Sequence, residues 1–190
     1  MLQRYGLIVL MLAGLGLQIS GCASSKTSFI HPNMDFGSVQ RCAVFPFQNL
    51  TSDGFADDKL YSIFMMELLA EGAFEVLSRG EVLGAMPGLN LTIGMSLTQE
   101  QIVSLGEKLS VDAIFFGSIE EFGLSRGSGS RVSEVTAVFS MAETQTGIVI
   151  WRAQIHVEGS SIWRKLFGGG SRSLHDVSRD AVRQALQTLL

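Results

Sequence analysis

One pattern of serine and glycine in this sequence has the spacing of a covalent catalyst. Residues 123–127 read G-x-S-x-G, in which Ser125 would be the nucleophile of a hydrolase. That chemistry needs a sharp strand-to-helix turn, which exposes the serine beside the backbone N–H groups that bind the oxyanion. Here the serine is followed by Ser-Gly-Ser at residues 128–130 and then by a predicted strand. His175 and Asp176 are adjacent and cannot fill two separate triad positions, so we expect no serine hydrolase.

The three histidines do not form a predicted metal site. His31, His156 and His175 are expected in a tether, on the wet face of a strand and in the first turn of a helix, respectively. Metal sites need such ligands to converge on one point, and nothing in the spacing places these three together. The glycines of residues 168–171 lack the lysine and the strand–helix frame of a phosphate-binding loop, so they predict a connector.

Two pairs of adjacent carboxylates are candidates for acid–base groups. Asp57 and Asp58 are adjacent in a predicted helix, and Glu120 and Glu121 are adjacent in a predicted strand. Adjacent side chains point apart in both kinds of element, so neither pair forms a dyad. The sequence therefore predicts no catalytic residue, no cofactor and no metal, and we expect the protein not to be an enzyme.

One of the two cysteines lies in a pattern that predicts lipid attachment. Arg4 precedes an apolar run over residues 7–17, which has the length of a secretory signal and is shorter than the roughly 20 apolar residues of a membrane span. The run ends in Ile-Ser-Gly-Cys at residues 19–22, small residues followed by a cysteine. This ending resembles the bacterial lipobox. The resemblance implies cleavage before Cys22 and acylation of its thiol and its new amino group, palmitate included.

The predicted organisation is a cleaved lipoprotein signal peptide (1–21), a lipidated N-terminus with a tether (22–38) and a single domain (39–190). Removing residues 1–21 takes away one charge, Arg4, and changes the formal net charge from −4 to −5. This acidity argues against a nucleic-acid partner and against polybasic docking on lipid. We therefore expect the acyl chains to supply the membrane attachment, since stable anchoring takes at least two such signals.

The residue after the lipidated cysteine bears on localisation in the cell envelope. Ala23 stands where an aspartate favours retention in the inner membrane. We expect a periplasm-facing lipoprotein of the bacterial outer membrane, with the inner membrane as the less favoured location.

The domain is predicted to alternate strands and helices and to end in a hairpin and a helix. Residues 39–47 predict a central strand buried on both faces, in which Cys42 is a small buried hydrophobe without a disulfide partner. The other predicted strands lie at 74–77, 112–122 and in an antiparallel hairpin over 132–159, and the predicted helices lie near 55–71, 79–86, 99–109 and 174–189. The order β-α-β-(α)-α-β-β-β-α favours an α/β (α+β) fold, a mixed sheet of about five strands with helices packed on it.

Several stretches of the domain resemble a known superfamily. They are residues 39–51, 72–79 and 111–119, and the sequence Thr-Gln-Thr-Gly-Ile-Val-Ile-Trp at 144–151, which is similar to a recurrent T-x-T-G-x-(I/V)-x-W hairpin. The superfamily contains the curli-secretion lipoprotein, the lipoprotein activators of penicillin-binding proteins and the N-terminal domain of the Tol-system β-propeller protein. The resemblance implies a shared architecture over residues 39–190 and brings no catalytic residues with it.

One apolar and basic segment is the candidate contact with a protein partner. Residues 161–167 read Ser-Ile-Trp-Arg-Lys-Leu-Phe and precede three glycines. Ile162, Trp163, Leu166 and Phe167 are the candidate contact residues, because aromatic and aliphatic side chains on an exposed loop are typical docking elements. The alternative is that Trp163 and Phe167 fold back onto the core.

We expect a non-enzymatic, lipid-anchored interaction module that acts as an accessory or activator of an envelope complex, in peptidoglycan synthesis or secretion. The alternative is an oligomeric secretion-pore component like the curli channel, because the strands of the hairpin over 132–159 are long enough to cross a membrane. That hairpin is assigned to the core sheet, however, and residues 160–172 are too short for another. Homo-oligomerisation is left open.

Overall fold

The computed structural model describes residues 24–32, 36–126, 131–159 and 172–190. In these ranges the chain forms a mixed sheet with helices on both faces, which confirms the predicted α/β (α+β) class. The strands are β1 (Ser24–Ile30), β2 (Arg41–Val44), β3 (Gln48–Asn49), β4 (Glu75–Val76), β5 (Ala113–Arg126), β6 (Arg131–Glu143) and β7 (Val149–Glu158). The α-helices are α1 (Ala56–Glu71), α2 (Arg79–Ala85), α3 (Gln99–Leu109) and α4 (Leu174–Leu186). Within the described ranges, no helix has the length and apolar character needed to cross a membrane.

The sheet has the strand order β1-β7-β6-β5-β2-β4, with β3 continuing beside β5. β2 and β3 run parallel to β5, and β4 runs parallel to β2. The pairs β5–β6, β6–β7 and β7–β1 are antiparallel. Over the described residues this gives seven strands instead of the five expected, and the two additional strands are β1 and β3. Pro46 separates β2 from β3, because proline has no N–H to contribute to the ladder.

Two hydrophobic cores lie on the two faces of the sheet. On one face, α1 and α4 pack against side chains such as Phe139 and Trp151. On the other face, α2 and α3 pack against Ala43 of β2 and Ile114 of β5. Beyond that second core, side chains such as Gln154 of β7 are exposed. This face is therefore open to solvent over the outer strands.

The central strand β2 is buried on both faces, as its apolar sequence predicts. Cys42 is free and fully buried. Burial, with a smaller contribution from the charge of Asp112, raises the pKa of the Cys42 thiol to about 12. The thiol is therefore un-ionised at neutral pH and takes a packing role.

The N-terminal strand β1 differs from the expectation of an irregular tether over residues 23–38. Seven residues of β1 pair with β7, from Ser24 opposite Val157 to Ile30 opposite Trp151. Phe29 and Ile30 stay about half exposed, at 49% and 47%. A strand at the edge of a sheet is held by its backbone hydrogen bonds, so it needs no alternation of apolar residues to form. The prediction of irregular structure was therefore wrong for this stretch.

Candidate functional site

The residues singled out by the sequence fall partly outside the described ranges. Cys22, the contact residues Ile162, Trp163, Leu166 and Phe167, and the glycines of 168–171 all lie outside them. Ser125 of the G-x-S-x-G string lies inside β5, where it pairs with Val132 of β6. The serine is therefore part of a regular hairpin and has no strand-to-helix turn around it.

A groove of about 880 Å³ lies between α1, α4 and the end of β5. Its apolar lining comes from Phe55 before α1, Met66 in α1, Phe122 in β5 and Leu174 at the start of α4. Phe55 and Met66 are 68% and 66% exposed, which is unusual for side chains of this size. Contiguous exposed apolar surface of this kind is typical of interaction sites.

The apolar residues of α1 contain a signal for this groove. Leu60 and Phe64 form the buried stripe of the helix. Met66 and Leu69 lie off that stripe and are more than half exposed, at 66% and 53%. A helix that keeps apolar residues outside its core-facing stripe has a second apolar surface, and here that surface borders α4.

The acidic residue in the groove wall is tied to α4. Glu67 of α1 accepts hydrogen bonds from Arg179 Nε at 2.6 Å and from Arg183 Nε at 2.7 Å. Its side chain is only 8% exposed. Burial pushes the pKa of Glu67 upward, but the hydrogen bonds from the two arginines outweigh it and hold the pKa below its usual range. The two helices that flank the groove are therefore joined by a charged bridge.

A second charged pair borders the groove. Lys59 Nζ is 2.8 Å from Asp53 Oδ2 and 5.5 Å from the centre of the Phe122 ring. Lys59, Glu67 and Arg179 all have partners of opposite charge, so the groove offers mainly apolar contact area.

A polar cluster lies on the opposite, open face of the sheet. Thr136 Oγ1 donates to Glu121 Oε2 at 2.5 Å and is 2.8 Å from His156 Nδ1. The same ring nitrogen is 3.7 Å from Glu121 and 3.8 Å from Glu134, while His156 Nε2 is 3.7 Å from Glu158. Register explains the cluster, because Glu121, Thr136 and His156 are direct neighbours on β5, β6 and β7.

This cluster brings together residues that the sequence did not connect. Among the described residues, one ligand atom each of Glu121, Glu134 and His156 lie within 4.8 Å of one another. Imidazole and carboxylates are ligands for ions such as Zn²⁺. The Thr136 hydroxyl already stands between the ring and Glu121, however, so an ion would have to displace it. His31 follows β1, His156 lies in β7 and His175 lies in α4.

The comparisons with known proteins support the fold and do not identify a function. No protein-family model and no curated protein matches the sequence. The structure is similar to that of a PelC dodecamer from Paraburkholderia phytofirmans, with a TM-score of 0.60 and 16% identity over 87% of this chain and 96% of that one. It is also similar to lipoprotein GNA1162 from Neisseria meningitidis, with a TM-score of 0.58 and 17% identity over 78% of this chain and 99% of that one. Protein CT253 from Chlamydia trachomatis is similar with a TM-score of 0.53 and 9% identity, over 80% of this chain and 96% of that one.

Structural similarity at sequence identities of 9–17% establishes a shared fold and nothing more. The chain therefore has a fold that also occurs in a bacterial lipoprotein, in line with the coarser part of the sequence-based resemblance. Membership of the curli, penicillin-binding-protein activator and Tol superfamily stays a prediction.

Proposed function

We propose that this chain is a non-enzymatic, lipid-anchored module of the bacterial envelope that binds a protein of an envelope complex. Cys22 is the anchor, and the domain faces the periplasm from the outer membrane. The complex is one of peptidoglycan synthesis or of secretion, and the module acts as its accessory or activator. The occurrence of the fold in a lipoprotein supports this reading without extending it to a partner.

The observation that supports the proposal is that the described residues on either side of the contact segment (residues 160–171) lie beside the exposed groove. The described residues on either side of the segment are close, since Arg172 N donates to Gly159 O at 3.1 Å. Leu174, two residues after Arg172, lines the groove. Gly159 and Arg172 therefore lie next to an apolar surface, and we propose that the four contact residues of the segment between them extend it.

Photo-crosslinking in intact cells tests the protein partner. A photoreactive residue at position 163 should trap one or two defined envelope proteins, whereas the same residue in place of the exposed Glu107 of α3 should trap none of them. Replacing Ile162, Trp163, Leu166 and Phe167 together by serine should abolish this capture from a second crosslinking position in the groove, Met66. Unchanged capture by the serine variant would remove the segment from the proposal.

A second function has one observation in its favour. The similar PelC structure is a dodecamer. If this chain assembles in the same manner, it is a ring-forming component of an export pathway. The acylated chain should then have the mass of a ring in detergent and should conduct ions in lipid bilayers. A monomer without conductance would exclude this second function and leave the first unaffected.

A further inference from the structure

The strand β1 fixes where the chain that leads to Cys22 enters the domain. Ser24 lies opposite Val157 of β7, Val157 opposite Val135 of β6, and Val135 opposite Phe122 of β5. These four residues form one row across the sheet. Beyond this row lie the end of β5, the start of β6 and the end of β7, and we call this edge of the molecule the anchor end.

The connection between the predicted lipid anchor and the sheet is very short. Ala23 alone separates Cys22 from Ser24, the first residue of β1. Two peptide units reach at most about 7 Å. A flexible tether would need many more residues to hold the domain away from a bilayer, and the residues that were expected to supply it are paired with β7 instead.

We infer that the anchor end of the domain rests directly on the lipid headgroups, so that a phospholipid bilayer is the partner of this surface. The inference rests on the proposed lipidation of Cys22, since both the acylated thiol and the acylated amino group would lie at the membrane interface. The anchor end is then the part of the sheet that contacts the membrane.

Exposed side chains at the anchor end suit an interface with lipid. Leu124 of β5 is 58% exposed, and Phe55, which lines the groove with Phe122, is 68% exposed. Arg131, the first residue of β6, is also exposed. Apolar side chains flanked by a cation are favourable at the boundary between headgroups and acyl chains.

The open face of the sheet suits that interface less well. Glu121, Glu134 and Glu158 gather there around His156. Anionic headgroups repel such a surface, so the molecule does not lie flat on it. Because Glu134 and Glu158 themselves lie one residue beyond the row that begins at Ser24, the short connection to Cys22, and not charge, selects the end of the sheet.

The opposite end of the sheet then lies far from the membrane. β6 has 13 residues, which at the usual rise per residue separates its two ends by about 40 Å. The turn between β6 and β7, with the half-exposed Ile148, marks this distal end. The two ends are thus far enough apart to be distinguished by a quencher confined to the bilayer surface.

The test uses the full acylated chain on vesicles of phosphatidylethanolamine and phosphatidylglycerol that contain a headgroup-labelled quencher lipid. A fluorophore is attached through Leu124→Cys at the anchor end or through Ile148→Cys at the distal end. Cys42 is fully buried and Cys22 is consumed by acylation, so the introduced thiol is the one that reacts. A matched variant carries a long glycine–serine spacer between Ala23 and Ser24, and flotation of the vesicles reports anchoring for every variant.

We expect several-fold stronger quenching at position 124 than at position 148, and we expect the spacer to bring the quenching at 124 down toward that at 148. Equal quenching at both positions in a chain that floats with the vesicles would overturn the inference and leave lipid anchoring intact. A chain that does not float would overturn the lipid anchoring itself, and the inference with it.

Discussion

Glu67 shows how a single carboxylate holds the two helices that shape the groove. It is nearly buried in α1 and receives hydrogen bonds from two arginines of α4, so its charge is compensated only when the helices are packed together. Removing the charge would leave Arg179 and Arg183 without their common partner.

Glu67→Gln should lower the free energy of unfolding by about 1–2 kcal/mol, because two hydrogen bonds to a charged group are weakened. Chemical denaturation at pH 7 measures this. Glu107→Gln on the exposed surface of α3 is the matched control and should change stability little. Equal effects of the two substitutions would mean that the bridge does not stabilise the domain.

The carboxylate of Asp112 is expected to cause part of the loss of folding stability at low pH. Its carboxylate accepts backbone hydrogen bonds from Arg41 N at 2.8 Å and Gln40 N at 2.9 Å, and these hold its pKa below the usual range. Because the folded-state pKa is the lower one, the stabilisation is complete above the unfolded-state pKa, near 4. It is lost as the pH falls through the folded-state pKa.

Asp112→Asn should therefore reduce the loss of stability between neutral pH and about pH 3, since the substituted residue no longer titrates. Unfolding free energies at both pH values give this difference, and Glu107→Gln is again the control. A pH profile identical to that of the natural chain would contradict the role assigned to the Asp112 charge.

At the scale of elements, the turn between β6 and β7 is packed against α3. Thr144 is buried and its hydroxyl donates to Val111 O at 2.5 Å, just before β5. Gly147 has a φ of 70° and lies against Gln99 of α3. Thr144 and Gly147 allow the turn to pack closely against α3. This packing explains the structural role of the first threonine and the glycine of the T-x-T-G pattern.

Gly106 of α3 gives a sharp test of this packing. A Cβ at Gly106 would overlap the side chain of Thr144, while a Cβ at Gly84 of α2 would meet nothing within 4 Å. Gly106→Ala should cost about 1–3 kcal/mol through overpacking. Gly84→Ala should stabilise the chain by up to about 1 kcal/mol, because alanine restricts the unfolded chain more than glycine does. The free energy of unfolding, measured by heat and by denaturant, should therefore fall for Gly106→Ala and rise for Gly84→Ala. A change in the same direction for both variants would argue against the close packing of Gly106 on Thr144.

The edge strand β1 has a consequence for solubility. A chain that begins at Val39 lacks β1 and leaves the long strand β7 as an unpaired edge. Unpaired edges of this length promote association between sheets. The truncated chain should form concentration-dependent oligomers by light scattering, in contrast to a chain that begins at Ser24. Equal behaviour of the two chains would mean that β1 does not protect the edge.

At the scale of the whole molecule, anchoring and partner binding are predicted at the same end. Gly159 and Arg172, which flank the contact segment, lie at the anchor end with Ser24. A partner reached through residues 160–171 would then lie on, or be embedded in, the same membrane.

Cys22→Ser should move the protein from the membrane fraction to the soluble periplasmic fraction, because no acyl chain can then be attached to a thiol. Incorporation of a labelled palmitate analogue should disappear with it. Cys42→Ser is the control and should keep both the label and the membrane fraction. Membrane association that survives Cys22→Ser would contradict the lipobox interpretation.

Much of the fold could be predicted because its signals are local. The continuous apolar run around Cys42 predicted a strand buried on both faces. The helix predicted near 99–109 is α3, which begins with a capping box of Thr98 and Gln101. The four α-helices and the long hairpin follow from the spacing of apolar residues within each segment. Lipidation of Cys22 is also a local pattern, and it remains a prediction.

The rest depended on contacts between distant parts of the chain. β1 pairs with β7 through its backbone, so its exposed side chains carried no periodic signal. His156 met Glu121 and Glu134 only through the register of three strands, and the groove formed only where Met66 of α1 came to lie beside α4. The sequence by itself thus determined the α-helices, the strands other than β1 and β3, and which cysteine resembles a lipid anchor. The tertiary structure alone decided the partners of β1 to β5, the surface clusters and the end of the sheet at which Ser24 lies, because pairing between distant segments and side-chain neighbours are long-range properties without a local periodicity.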